Sequence, residues 1–366
     1  MGFAISRVTS SHRQVPNAKR LALRVAHDPV VPLASFWSLD RRMFEAMTGV
    51  PTVTGQDRVS VTLNLAWTGA APVLSVLTPF LRDDPSGLLQ AIEAQAARLS
   101  QSVEIIALDD GSNDEALADL VRGQIEGLAM PAAFVRLLDN EGRSAARNRL
   151  AQLARGRHLL YLDADTVPDA EDFLQRYLDM IAAGDPPLVI GGFSLKQASQ
   201  APQFALHRTI ATRLDCMPVK VRQVTPWRFV YGSNILVRRD VMHATPFNPH
   251  YRAWGWEDQE WGMRVANQWP IVHVDNTVTH LGLDTVETLI EKYASSGANF
   301  HRLVHDHPER VRDYPAYRAA RLLRFLPFKA QFRSLAEQVA RSESFPLGLR
   351  TLGLRFYRVL NYLASH

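Results

Sequence analysis

Between residues 73 and 162 short apolar runs alternate with longer stretches whose apolar positions recur every three or four residues. The runs 73–78, 103–108, 133–138 and 158–162 are short and apolar almost throughout, which predicts strands buried on both faces. The stretches 86–99, 115–125 and 145–153 carry the helical period between them. Strands alternating with helices predict an α/β fold class, a Rossmann-like, mostly parallel sheet flanked by helices. Ligands on such sheets bind beyond the carboxyl ends of the strands. Upstream, 59–65 alternates apolar and polar residues, the pattern of a half-buried strand. The remainder of 1–70 is an extension of short apolar runs and prolines without a readable motif. Three regions follow: an extension (1–70), the α/β domain (71–285) and a helical, basic C-terminal region (286–366). No internal repeat or low-complexity segment interrupts them.

Composition narrows the function classes. With 366 residues, 46% hydrophobic and 21% charged, the chain has the profile of a soluble globular protein. The single cysteine, Cys216, excludes an internal disulfide framework and a multi-cysteine zinc site. No run reaches the roughly 18 apolar residues of a membrane span, and no signal-peptide core is visible at the start. Residues 1–6 fit the short N-myristoylation pattern, which matters only in a eukaryotic host. The net charge is +4, yet from Glu309 onward eleven Lys/Arg face four Asp/Glu, a local +7, which leaves −3 upstream. Leu322, Leu323, Phe325, Leu326, Phe328, Leu335, Leu352, Leu354, Phe356 and Tyr357 interleave with these arginines. The pattern points to amphipathic helices that pack on the body or lie on an anionic membrane face, rather than to a nucleic-acid tail.

The ends of the strands carry the chemistry. Asp163-Ala164-Asp165 closes the run 158–162, and on an extended segment both carboxylates would face one point. Hard oxygen ligands of that kind suit Mg²⁺ or Mn²⁺ completed by substrate phosphates. The competing reading is a helix start capped by Asp165 or Thr166. Thr78-Pro79 ends the first strand, and Asp109-Asp110-Gly111-Ser112 ends the second with acids able to accept from a base or ribose, or merely to cap a turn. Arg143 and Arg147 open the helix before residue 158, where a helix N-terminus and arginine favour phosphate, unless they only pair with nearby acids. Farther on, Gly232-Ser233-Asn234 enters another strand. Then Trp254-Gly255-Trp256-Glu257-Asp258 sets tryptophans, suited to a sugar face or to the core, beside possible general bases.

In this order, from about residue 73 to 283, these segments resemble the inverting family 2 glycosyltransferases of GT-A fold. The last of them also resembles galactosyltransferase and chondroitin-type polymerase domains. The resemblance implies a hexosyltransferase using a UDP-sugar donor, with Mn²⁺ or Mg²⁺, and a saccharide or lipid-linked saccharide acceptor. It implies that Asp109 and Asp110 bind the uridine portion and that Asp163 and Asp165 hold the metal on the diphosphate. His280 would be a third ligand, with His273 its rival. Asp258 would be the catalytic base. Glu257 and Trp256 would border the sugar, and Thr78, Pro79, Arg143 and Asn234 would complete the donor site. The expected setting is polysaccharide biosynthesis at the cell envelope, in the cytoplasm, with peripheral contact on the inner face of the membrane. Two other readings compete. One is a haloacid-dehalogenase-type phosphatase built on Asp163-Ala164-Asp165-Thr166, which leaves Asp109-Asp110 and Glu257-Asp258 unexplained. The other is a non-catalytic sugar-nucleotide-binding scaffold, which has no chemical need for Asp163, Asp165 and Asp258 together.

Overall fold

A computed structural model describes residues 59–67 and 72–364. The myristoylation pattern and the rest of the extension before residue 59 lie outside the described residues. Among the described residues, eight strands form the main sheet in the order β1-β4-β3-β2-β5-β9-β7-β10. They are β1 (Val59–Leu63), β2 (Leu74–Phe80), β3 (Val103–Asp109), β4 (Ala132–Leu137), β5 (His158–Leu162), β7 (Leu188–Ile190), β9 (Asn234–Arg238) and β10 (Val272–His273). A second sheet, β6-β11-β8, joins β6 (Thr166–Pro168), β8 (Phe193–Ser194) and β11 (Val278–His280). The apolar runs read from the sequence are the centre of the main sheet, where β4, β3, β2 and β5 are all parallel. Antiparallel pairings add β1 to β4 and set β9 between β5 and β7. The strand expected at 59–65 is thus the edge of the main sheet.

Side-chain alternation explains why both faces need cover. Val76, Ile105, Ala107 and Leu160 point to the face packed by helices Ser86–Ala96, Glu115–Gly127 and Phe173–Gly184. Leu77, Ile106, Leu108, Leu159 and Tyr161 point to the other, under helices Arg143–Leu153, Arg239–Ala244 and Glu257–Val265. The helices starting at Ser86, Glu115 and Arg143 all lie between parallel strands, as crossovers require. Strand order reverses beside β2: β3 lies on one flank and β5 on the other. A crevice at such a switch point is where an open α/β sheet binds its ligand. The C-terminal helices, from Val286–Ser295 to Leu347–Ala364, build two further apolar clusters against the segment around Trp256.

Candidate functional site

The segment 163–165 is a turn between β5 and β6, not extended chain, with the amide of Thr166 donating to the carbonyl of Asp163 at 3.1 Å. Two corrections follow. The carboxylates do not share a face by strand alternation, and Thr166 opens a strand rather than capping a helix. What turns Asp165 toward His280 is the small sheet, in which His280 stands directly opposite Thr166. The His280 ring lies 3.5 Å from the Asp165 carboxylate. Asp163 faces another way, accepting from Arg147 at 3.3 Å. Burial pushes the Asp165 carboxyl above its usual range and Asp163 adds to this, while His280 opposes it. A Cβ at Gly282 would overlap the Asp165 carboxylate, so glycine leaves that group its space. The Asp165 carboxylate and the His280 imidazole, 3.5 Å apart at a partly buried turn, are donors suited to Mn²⁺ or Mg²⁺. Among the described residues no three of His, Cys, Asp and Glu converge on one ion, so donor phosphates and water would fill the other positions. His273 is not a rival: its ring nitrogens lie 2.9 Å from Arg222 and 3.0 Å from the Pro226 carbonyl, inside the body.

Arg147 links the two halves of the site. It is buried one turn into its helix, and its guanidinium donates to Asp258 at 2.8 Å and to Asp163 at 3.3 Å. Burial opposes its charge, but Asp258, Asp163 and Glu257 outweigh that and hold its pKa above the ordinary value. Phe247 lies beneath the guanidinium at 5.2 Å, and a Cβ on Gly232 would fall within it. Asp258, in the first turn of helix Glu257–Val265, also accepts from the Gly232 amide at 2.7 Å. Burial raises its pKa to about 6; Arg147 pulls it down, and Glu257 and Asp163 push it up. A carboxyl poised there is a competent general base near neutral pH. Glu257 is buried beside it, one carboxylate oxygen 3.5 Å from Arg143 and the other without a hydrogen-bond partner.

The acids at the end of β3 are engaged inside the protein. Asp110 accepts from the amides of Glu141 and Gly142 at 2.8 and 2.9 Å, which fixes the loop leading into the Arg147 helix. Burial raises its pKa to about 6, against those two bonds. Asp109 accepts from the Ser112 amide at 2.8 Å and faces Arg136 at 3.7 Å. Thr78 is buried and Pro79 partly exposed. Arg143, at the start of the same helix, keeps an exposed guanidinium facing Glu257.

Two expected donor contacts are corrected. Asn234 is buried, bonded by Tyr177 and to the carbonyls of Gly192 and Asn276, so it ties β9 to its neighbours. Trp256 is only 7% exposed and packs on Phe300, Tyr314 and Tyr362 at 5.2, 5.9 and 6.0 Å, with no face free for a sugar. It holds φ of +77°, a left-handed conformation that a bulky residue adopts only under constraint.

Residues 75–245 match the family described as Glycosyl transferase family 2. That segment is a family 2 glycosyltransferase domain. It contains Asp109, Asp110, Arg147, Asp163 and Asp165, whereas Glu257, Asp258 and His280 lie beyond it. Glycosyltransferase GlyG of Streptococcus pneumoniae serotype 4 is 24% identical over 184 residues, which is 48% of this chain and 58% of GlyG. The chain thus spans little more than half of that relative. Mannosyltransferase PcManGT of Pyrobaculum calidifontis, solved with GDP-Man and Mn²⁺, superposes with a TM-score of 0.52 at 14% identity, covering 81% of this chain and 87% of that one. S. aureus TarS 1-349 gives 0.46 at 14%, covering 79% and 90%. The family 2 domain has the GT-A fold, with its carboxylates at the strand ends described above.

Proposed function

We propose that the chain is an inverting glycosyltransferase that moves a hexose or N-acetylhexosamine from a UDP-sugar to a glycan or lipid-linked saccharide. Asp258 carries this reading: a carboxylate with a pKa near 6, oriented by Arg147 and the Gly232 amide, joined through Arg147 to the Asp163 turn. Asp258 takes the proton of the acceptor hydroxyl as that oxygen attacks the anomeric carbon. The bond from that carbon to the diphosphate breaks on the opposite face, and UDP leaves with the electron pair. Asp165 and His280 would hold Mn²⁺ or Mg²⁺, which would supply charge stabilisation on the leaving diphosphate, with Asp163 held beside them by Arg147. Arg143 stands ready for the same phosphates. The uridine portion would lie against the loop that Asp110 shapes, with Asp109, wholly buried against Ser112 and Arg136, anchoring the end of β3 beneath it. Arg147 keeps the base aimed and ionised.

The setting proposed is cell-envelope polysaccharide synthesis by a cytoplasmic protein in peripheral contact with the membrane. No helix among the described residues is long and apolar enough to cross a membrane. The test is nucleotide release over a panel of UDP-sugars, with GDP-mannose included because PcManGT was solved with it, each with and without Mn²⁺. One UDP-sugar should release UDP in a metal- and acceptor-dependent way, and Asp258→Asn should lose that release while keeping donor affinity. Undiminished transfer by Asp258→Asn sinks the base assignment. Donor binding without release for any acceptor returns the chain to the scaffold reading.

A further inference from the structure

The helices Pro315–Leu323, Lys329–Arg341 and Leu347–Ala364 turn a face of small and aromatic residues inward, burying Ala320, Ala336, Ala340, Leu354 and Tyr357. Their outer side is not polar, as a solvated helix face would be. Leu322, Phe325 and Phe328 are 78%, 77% and 71% exposed, and Leu335, Leu349 and Leu352 are exposed with them. All six lie on these three helices and the bend between the first two. Leu322, Phe325 and Phe328 follow at three-residue steps through the bend between the first two helices. Leu335 and Leu352 adjoin Ala336 and Gly353, and a Cβ on Gly353 would lie 3.0 Å from the Ala336 carbonyl. Each of these two helices thus carries an exposed leucine next in sequence to the crossing.

Charge selects the partner. Residues 314–336 contain five Lys/Arg and no Asp/Glu. Arg321, Lys329, Arg333 and Arg355 form no ion pair among the described residues, and the Arg324 guanidinium lies over the Phe325 ring at 4.4 Å. Apolar side chains bordered by unneutralised cations match the interface of a bilayer carrying anionic lipid, with rings in the acyl boundary and cations at the headgroups. A second copy would bring like charges together at the same face, which opposes association.

We infer that this face is a docking surface for an anionic phospholipid bilayer, entered by Phe325 and Phe328. The inference supplies the residues behind the membrane contact proposed above and is independent of the transfer chemistry.

The experiment is co-sedimentation of the full chain with vesicles of phosphatidylcholine alone and of phosphatidylcholine mixed with phosphatidylglycerol. The chain should sediment with the anionic vesicles only, and salt of about 0.5 M should weaken the binding. Phe325→Ser/Phe328→Ser, and separately Arg321→Gln/Arg324→Gln/Lys329→Gln, should each lower vesicle affinity by on the order of tenfold. The substituted side chains are exposed, Lys329 in part, so unchanged melting temperatures confirm that the variants fold. A full chain left in the supernatant with both vesicle types overturns the inference. So does sedimentation that the variants do not weaken, or dimerisation abolished by the variants in place of vesicle binding. Vesicle binding is read without donor or acceptor, so its failure leaves the sugar-transfer reading standing, and a chain that sediments but releases no nucleotide fails that reading alone.

Discussion

The burial of Arg147 decides how the proposed base behaves. Asp258 sits in a site that by burial alone would keep it protonated, and Arg147 is the main force holding it ionised. The acid limb of kcat/KM is therefore expected near pH 6, with activity rising as Asp258 loses its proton. Arg147→Gln should move that limb to higher pH, and Arg147→Lys should restore part of the shift, read from pH–rate profiles. Asp258→Asn should cost about 10²–10⁴-fold in kcat with donor affinity nearly unchanged in calorimetry. The acids were legible in the sequence because their order along the strand ends is itself a pattern. The division of labour between Arg143 and Arg147 was not. The two stand four apart on one helix face, and what buries only the second is Phe247 and the absent side chain of Gly232, both about a hundred residues away.

Among the elements, the parallel strands were readable because a strand buried on both sides leaves an apolar run of its own length. The turn at 163–165 and the role of the tryptophans were hidden, since both depend on partners distant in sequence. Asp165 meets His280 only through the pairing of β6 with β11, and Trp256 is buried by helices beyond residue 297. Trp256→Ala should cost about 3–5 kcal/mol of stability in chemical denaturation, as a core truncation does, with the donor KM little changed if the fold holds. A large rise in KM without loss of stability would instead return Trp256 to the sugar site. Gly232→Ala should cost about 1–3 kcal/mol by overpacking and abolish transfer, because the added methyl displaces Arg147.

At the scale of the whole molecule, buried titratable groups act against one another across mildly acidic pH. Burial lowers His273 to about 4. Between that value and the ordinary pKa of about 6.5, the unfolded chain holds a proton that the folded chain refuses, so this histidine's share of stability is lost as pH falls through that window. The wild type should therefore gain on His273→Gln as pH rises from about 4 to 6.5, by no more than about 3 kcal/mol, measured by denaturation at several pH values. Asp110 and Asp258, raised to about 6, act with the opposite sign: their share is present below the ordinary carboxylate range and lost as pH rises through about 6. The α/β architecture was legible throughout, yet the way the basic helices both pack on the body and expose a second apolar face was not, because a sequence of alternating arginine and leucine fits either role.

The aromatic seat of Trp256 has a consequence for the order in which the molecule assembles. Residue 256 keeps its left-handed backbone beside Glu257 and Asp258 under the rings of Phe300, Tyr314 and Tyr362. Those contacts span up to about a hundred positions, and contacts that distant form late in folding. The strands around β2 can pair beforehand, so a refolding chain should acquire the β2–β3 part of its proposed donor site first and Asp258, its proposed base, last. In a stopped-flow experiment, donor binding should return earlier than transfer activity, a lag during which the protein can hold a sugar nucleotide without breaking it.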